Sequence, residues 1–189
     1  MGIIKSTNGF DIIVDDDFVP FLIRYKWRAD VNRPGDTKRY AKTIISINGE
    51  RKGITMHRLI MRMRKAIVDH VNGNGLDNRL ANLRYCSQSQ NQANSNERAN
   101  PHGFKGVSRP FKNRRYFAAV TFEGMRYRSK LFDSASEAAI EHDRMAKALH
   151  GQFAKLNFPE LQTEASLDGV QNKIAHVWRR RARKVLGEK

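Results

Sequence analysis

The chain has 189 residues, with 35 Lys and Arg against 19 Asp and Glu, a formal charge of +16 and a pI near 10.4. That imbalance calls for an anionic partner, a nucleic acid or an anionic membrane surface, and no apolar run approaches the roughly 18 residues of a spanning helix. The single Cys86 excludes an internal disulfide and any zinc site built on paired thiolates.

Nothing in residues 1–10 has the charged-then-apolar layout of a secretion signal, so an intracellular setting is expected. The length admits one medium domain or two small ones, and two are favoured. Phe10–Val14, the segment around Trp27 and Tyr40–Ile47 predict strands, broken by residues 32–36 and by Asn48-Gly49. Asn48 and Gly49 both tolerate positive φ, which suits a tight hairpin turn. Asp15, Asp16 and Asp17 read as a metal cluster or as a cap on a short helix over Phe18–Ile23. Capping is favoured, because negative charge meets the positive helix end. A helix is expected over Thr55–Met63, and His57 at its start is expected to pack. Residues 95–103 form a polar linker ending in Pro101 and Gly103.

The segment 103–158 predicts a hairpin closed by Glu123-Gly124. It pairs Phe122 with Met125, Val120 with Tyr127, Ala118 with Ser129 and Tyr116 with Leu131. Period two then puts an apolar face against a cationic one carrying Arg126, Arg128 and Lys130. Ser134-Ala135-Ser136-Glu137 is a capping box that opens a helix to about His150, stopped by Gly151. Ala138, Ile140 or His142, Met145, Ala146 and Leu149 are expected to pack on the sheet. Beyond Pro159, residues 170–187 predict a basic amphipathic helix.

Between Asp69 and Asn91 lies the stretch that points to chemistry. Hydrolysing a phosphodiester needs a base, charge compensation on the phosphate and help for the leaving oxygen. His70 is the candidate base, since imidazole titrates near neutral pH. Asp69 offers a charged oxygen to a metal and Asn91 a neutral one, which leaves coordination sites for water and phosphate around an octahedral ion. Cys86 sits among polar residues and is given no catalytic role, and His102, His142, His150 and His176 are scattered. Asp69-His70, Asn72-Gly73-Asn74, Asn78-Arg79, Asn82-Leu83-Arg84 and Asn91 together resemble the HNH motif of the ββα-metal (His-Me finger) endonucleases, in the branch of bacteriophage-type homing endonucleases. The resemblance covers roughly residues 55–95. It implies that His70 is the general base, that Asp69 and Asn91 bind Mg²⁺ or Mn²⁺, one ion per site, and that Asn82 fastens the loop between hairpin and helix.

From Lys105 to Lys130 eight basic residues (Lys105, Arg109, Lys112, Arg114, Arg115, Arg126, Arg128, Lys130) stand against the single acid Glu123. A solvated face would mix signs, so the asymmetry favours phosphate contact. Phe104-Lys105-Gly106-Val107, Tyr116–Val120, Phe132-Asp133-Ser134, Glu137-Ala138-Ala139 and Asn157-Phe158-Pro159 resemble the APETALA/ethylene-responsive-factor DNA-binding domain over about residues 103–159. That family docks a three-stranded sheet in the major groove. By position Arg109, Arg114, Arg126 and Arg128 become the base or phosphate contacts. Phe111, Tyr116 and Arg128 occupy or adjoin places where plant members carry tryptophan, so no base preference carries over.

The expectation is an α+β protein with a β-rich region over 1–52, a ββα-metal nuclease core over 53–98, the sheet-and-helix domain over 103–159 and the basic helix. Its function is metal-dependent cleavage of double-stranded DNA at a preferred site, by a monomer or a dimer. A non-catalytic DNA-binding regulator and an RNA-directed nuclease or binding protein are the alternatives, because positive charge does not choose between nucleic acids.

Overall fold

Two of the hairpins in this chain close on a turn with positive φ at both central residues. Asn48 and Gly49 lie at φ 53° and 83°, Glu123 and Gly124 at 49° and 77°, the pairing that two-residue hairpins demand. The structure is a computed structural model that describes residues 1–32, 34, 38–62, 65–95, 100–110 and 114–161. The basic helix expected over 170–187, and Lys112, lie outside the described residues. The fold is mixed α+β, as expected, in two compact units over residues 1–91 and 92–189.

In the first unit, β1 (Gly2–Lys5) and β2 (Asp11–Val14) form a hairpin. A 3-10 turn over Asp16–Phe18 runs into the short helix α1 (Val19–Leu22). Strands β3 (Arg28–Val31), β4 (Arg39–Ile47) and β5 (Glu50–Thr55) form an antiparallel sheet in that order. Helix α2 covers Met56–Ile60, β6 (Ile67–His70) pairs with β7 (Leu83–Cys86), and α3 spans Gln88–Asn94. One core joins Ile4, Ile12, Val14, Leu22, Trp27, Ala41, Met56, Ile60 and Leu83. At its centre Trp27 is 1% exposed and donates its indole N–H to the Leu22 carbonyl at 2.8 Å. Burying one such large apolar side chain contributes ~1.5–3 kcal/mol. A boundary between residues 52 and 53 would therefore cut through β5 and split this core. The two stretches expected to be separate fold as one body.

The acidic triplet departs from its expected role. Asp15 precedes the 3-10 turn but gives it no side-chain cap. Its carboxylate instead accepts the Leu80 N–H at 2.8 Å, 65 residues away. The same edge is tied by main chain: the Ile13 N–H donates to the Leu76 carbonyl at 2.9 Å, and the Asn78 N–H to the Ile13 carbonyl at 2.7 Å. Local capping lost to a loop that arrives from far along the chain, and sequence neighbours carry no sign of that.

In the second unit β8 (Val107–Ser108), β9 (Phe117–Phe122) and β10 (Met125–Arg128) form a sheet in the order β10-β9-β8. Helix α4 (Ala135–His150) packs on it through Met145, Ala146 and Leu149 against Ala118 and Val120. Its capping box is formed: Ser134 Oγ accepts from the Glu137 N–H at 3.1 Å, and Glu137 Oε2 accepts from the Ser134 N–H at 3.3 Å. The hairpin pairs Phe122 with Met125 and Val120 with Tyr127, and the Ser129 N–H donates to the Ala118 carbonyl at 3.0 Å. Tyr116, however, bridges to Phe132 rather than Leu131. One extra residue has entered after Ser129, whose hydroxyl takes the Ala118 N–H at 2.9 Å. This is the two-against-one count of a β-bulge. On α4 His142 is buried while Ile140 is 50% exposed, since a two-residue step turns ~200° around a helix from Ala138.

Asp143 of α4 ties the segment after the helix to the sheet unit. Its Oδ1 accepts from the Asn157 N–H at 2.9 Å and the Asn157 amide at 3.0 Å, and its Oδ2 accepts from the Phe158 N–H at 2.8 Å. Asn157 Oδ1 in turn accepts the Lys105 N–H at 2.7 Å.

Candidate active site

Asp69 and His70 are the last two residues of β6, paired across the hairpin with Arg84 and Leu83. Consecutive strand residues direct their side chains to opposite faces. On one face, Arg84 Nε and Nη2 both donate to Asp69 Oδ2, at 3.0 and 2.9 Å. The carboxylate is almost wholly buried under that guanidinium. On the other, the His70 ring is 1% exposed. It meets the His57 ring edge-on at a centroid distance of 4.9 Å and the Tyr40 ring at 5.9 Å. His70 Nε2 lies 3.4 Å from Asn78 Oδ1. Asn91 sits on α3, its N–H donating to the Ser87 carbonyl at 2.9 Å.

The loop between the strands is held by amides. Asn82 Oδ1 accepts the Asn72 N–H at 2.9 Å, and its Nδ2 donates to Asn72 Oδ1 at 3.0 Å and to the Asp77 carbonyl at 2.7 Å. Asp77 takes two hydrogen bonds from the Arg79 guanidinium, at 2.8 and 2.7 Å, which hold its carboxyl below the ordinary range. Gly75 admits β4 at close quarters. A Cβ there would lie 2.3 Å from the Arg39 carbonyl oxygen and 2.7 Å from the Tyr40 ring.

Burial is the main cause that brings His70 down to about 4, with the Lys38 charge adding to it and Asn78, Asp69 and Asp77 opposing it. Burial, then the charges of His70, Arg58 and Lys38, brings His57 to about 3. Both rings are neutral at pH 7. Below about 6.5 the unfolded chain takes up protons that the folded one refuses, so stability falls as pH drops from about 6.5 toward 4. His150 is shifted down by burial in the same sense. His57 and His70 each contribute up to ~1.4 kcal/mol per pH unit in that window. Urea unfolding of the metal-free chain at pH 7 and pH 5 checks this. A flat profile would mean that the histidines are open to solvent.

Sequence reading reached Asp69, His70, Asn82 and Asn91 but gave no role to Arg84, Asn78, Tyr40 or Lys38. Arg84 was detectable as the cross-strand partner of Asp69 once the hairpin was drawn. Asn78 and Tyr40 reach His70 through tertiary approach alone.

Among the residues expected to meet DNA, Arg109, Arg114, Arg115, Arg126, Arg128 and Lys130 are exposed. The Arg128 guanidinium lies 5.0 Å from the Phe117 ring centroid, and the Lys130 ammonium 5.5 Å from that of Phe132. Arg115 is paired with Asp133 at 2.7 Å. Lys105 is half-buried. Its ammonium donates to the carbonyls of Ala93 and Ser95, which engages two of its three N–H donors and leaves its charge in place.

A family profile described as HNH endonuclease matches residues 56–93. The chain is 32% identical over 90 residues to an uncharacterized HNH endonuclease of Acanthamoeba polyphaga mimivirus, an overlap of 48% of this chain and 46% of that protein. It is 33% identical over 89 residues to protein 3.8 of Escherichia phage T7, covering 47% of this chain and 73% of the phage protein. The chain thus spans about half the length of the mimivirus relative. No solved structure matches significantly.

Proposed function

From the premise that this chain belongs to the HNH endonuclease family, we propose that it is a metal-dependent endonuclease that cuts double-stranded DNA at a preferred site, as homing endonucleases do. The observation that carries this reading is His70: a buried, neutral imidazole one residue along the strand from a buried carboxylate, at a strand end inside the matched segment. In this reading Nε2–H points to Asn78 Oδ1 and Nδ1 carries the lone pair that takes the proton of the attacking water. Asn82 keeps the loop closed around this pair.

The donor set fits a hard divalent ion. One carboxylate from Asp69 and one amide oxygen from Asn91 leave most positions to water and phosphate oxygens, which Mg²⁺ and Mn²⁺ prefer. Such an ion, when bound, supplies charge compensation to the phosphate and to the leaving oxygen. Arg84 holds Asp69 through Oδ2 and so fixes the carboxylate's orientation. The sheet of the second unit, with Arg109, Arg114, Arg126 and Arg128 exposed, is proposed to bind DNA in the manner of the APETALA/ethylene-responsive-factor domain. Lys105, Arg115 and Lys130 supply flanking charge in this reading, Arg115 while paired with Asp133. The relatives are viral, which supports action inside a host cell.

Conversion of supercoiled plasmid to nicked or linear product in Mg²⁺, and its loss in EDTA, tests the proposal. Intact plasmid in Mg²⁺ and Mn²⁺ alike, with DNA still bound, would leave a DNA-binding protein without the chemistry. Preferential cutting of structured RNA in competition would move the substrate class to RNA.

A further inference from the structure

Lys38 comes from the stretch that precedes β4, outside the matched segment, yet it stands at the site. Gly75 lets the Arg39 carbonyl and the Tyr40 ring press against the nuclease loop. The Tyr40 ring faces both His70 and His57, at centroid distances of 5.9 and 5.8 Å. Lys38 lies over that same ring, its ammonium 5.4 Å from the centroid. The Asp69 carboxylate is close enough to act on it electrostatically, and burial lowers its pKa below the ordinary lysine value.

Lys38 is half-buried, and among the described residues its ammonium makes no hydrogen bond and no ion pair. Asp69 does not require it as a counter-ion, since Arg84 already gives that carboxylate two hydrogen bonds. A surface lysine normally stays in water with its head solvated. A partly desolvated ammonium held over a ring face, with its N–H donors unmatched among the described residues, is costly, and an anion would match them. We propose that Lys38 binds a non-bridging oxygen of the phosphodiester that His70 acts on, supplying positive charge as negative charge grows there. The inference rests on the reading of His70 as the base and gives the β-rich region before residue 52 a part in the chemistry.

The test is single-turnover cleavage by the full chain in Mg²⁺ at saturating DNA, for K38M, K38Q, K38R and H70A. Loss of one electrostatic donor at a developing charge costs on the order of 10²-fold in rate. K38M and K38Q are expected to fall by that order, with DNA affinity changed by less than about threefold, since one contact among several phosphates is lost. K38R, which keeps the charge, is expected to recover most of the rate. Parental cutting by K38M, with H70A inactive, would overturn the role of Lys38 alone. Parental cutting by H70A would remove the base reading and this inference with it. Should K38M lower the unfolding midpoint, the comparison of K38Q with K38R decides: equal rates would mean that charge at this position is irrelevant.

Discussion

His70→Ala is expected to slow DNA cleavage by ~10²–10⁴-fold, the usual loss for a missing general base. That range corresponds to ~3–5 kcal/mol of transition-state stabilisation. DNA affinity is expected to hold, because most of the cations proposed to contact phosphate belong to residues 105–130. The ring is fully buried between His57, Tyr40 and Asn78, so truncation also opens a cavity and weakens packing by a few kcal/mol. His70→Gln separates the two effects, since it retains much of the volume and a polar tip but has no basic nitrogen. Single-turnover rates measured alongside urea unfolding distinguish them. If His70→Gln cuts at the parental rate while folded, another group is the base.

The largest expected loss of stability belongs to Asp143→Ala. Burial alone would raise this carboxyl's pKa, but hydrogen bonds from His142, Asn157 and Phe158 outweigh it and hold the group below its ordinary range. Four donors converge on two oxygens: the Asn157 and Phe158 backbone N–H groups, the Asn157 amide and His142 Nδ1 at 3.0 Å. Removing the carboxylate strands them in a site 8% exposed. Charged hydrogen bonds broken on one side in this way cost ~3–5 kcal/mol. Asp143→Asn keeps one oxygen but turns a donor toward an existing donor, and an intermediate loss is expected. Urea unfolding followed by far-UV circular dichroism measures both. A change below about 1 kcal/mol for the alanine variant would mean that water replaces the carboxylate without strain.

What could be read ahead of the structure was local. Asn48-Gly49 and Glu123-Gly124 announce their hairpins because few residues accept positive φ. The Ser134-to-Glu137 box needs only three intervening bonds to form. The Asp69-His70 pair and Asn82 were recognisable because their spacing follows from one hairpin and one helix. What escaped was assembled over distance. β1 is too short to show alternation, with two adjacent isoleucines, and β5 opens with three charged residues. The Asp15 carboxylate ended on Leu80, and Tyr40 and His57 reached His70, through packing that no window of ten residues records. The extra residue after Ser129 was hidden because a Ser side chain took over a main-chain bond.

The rail that β2 lays beside the loop at Leu76 and Asn78, and the Asp15 hold on Leu80, bear on how this enzyme can be cut up and reused. The family profile matches from residue 56, yet these supports are supplied from before residue 16. A minimal cleavage cassette excised at the edge of that similarity would carry the reactive side chains and leave their scaffolding behind. The portable piece for a chimeric nuclease starts at residue 1 and runs past the end of α3 at Asn94.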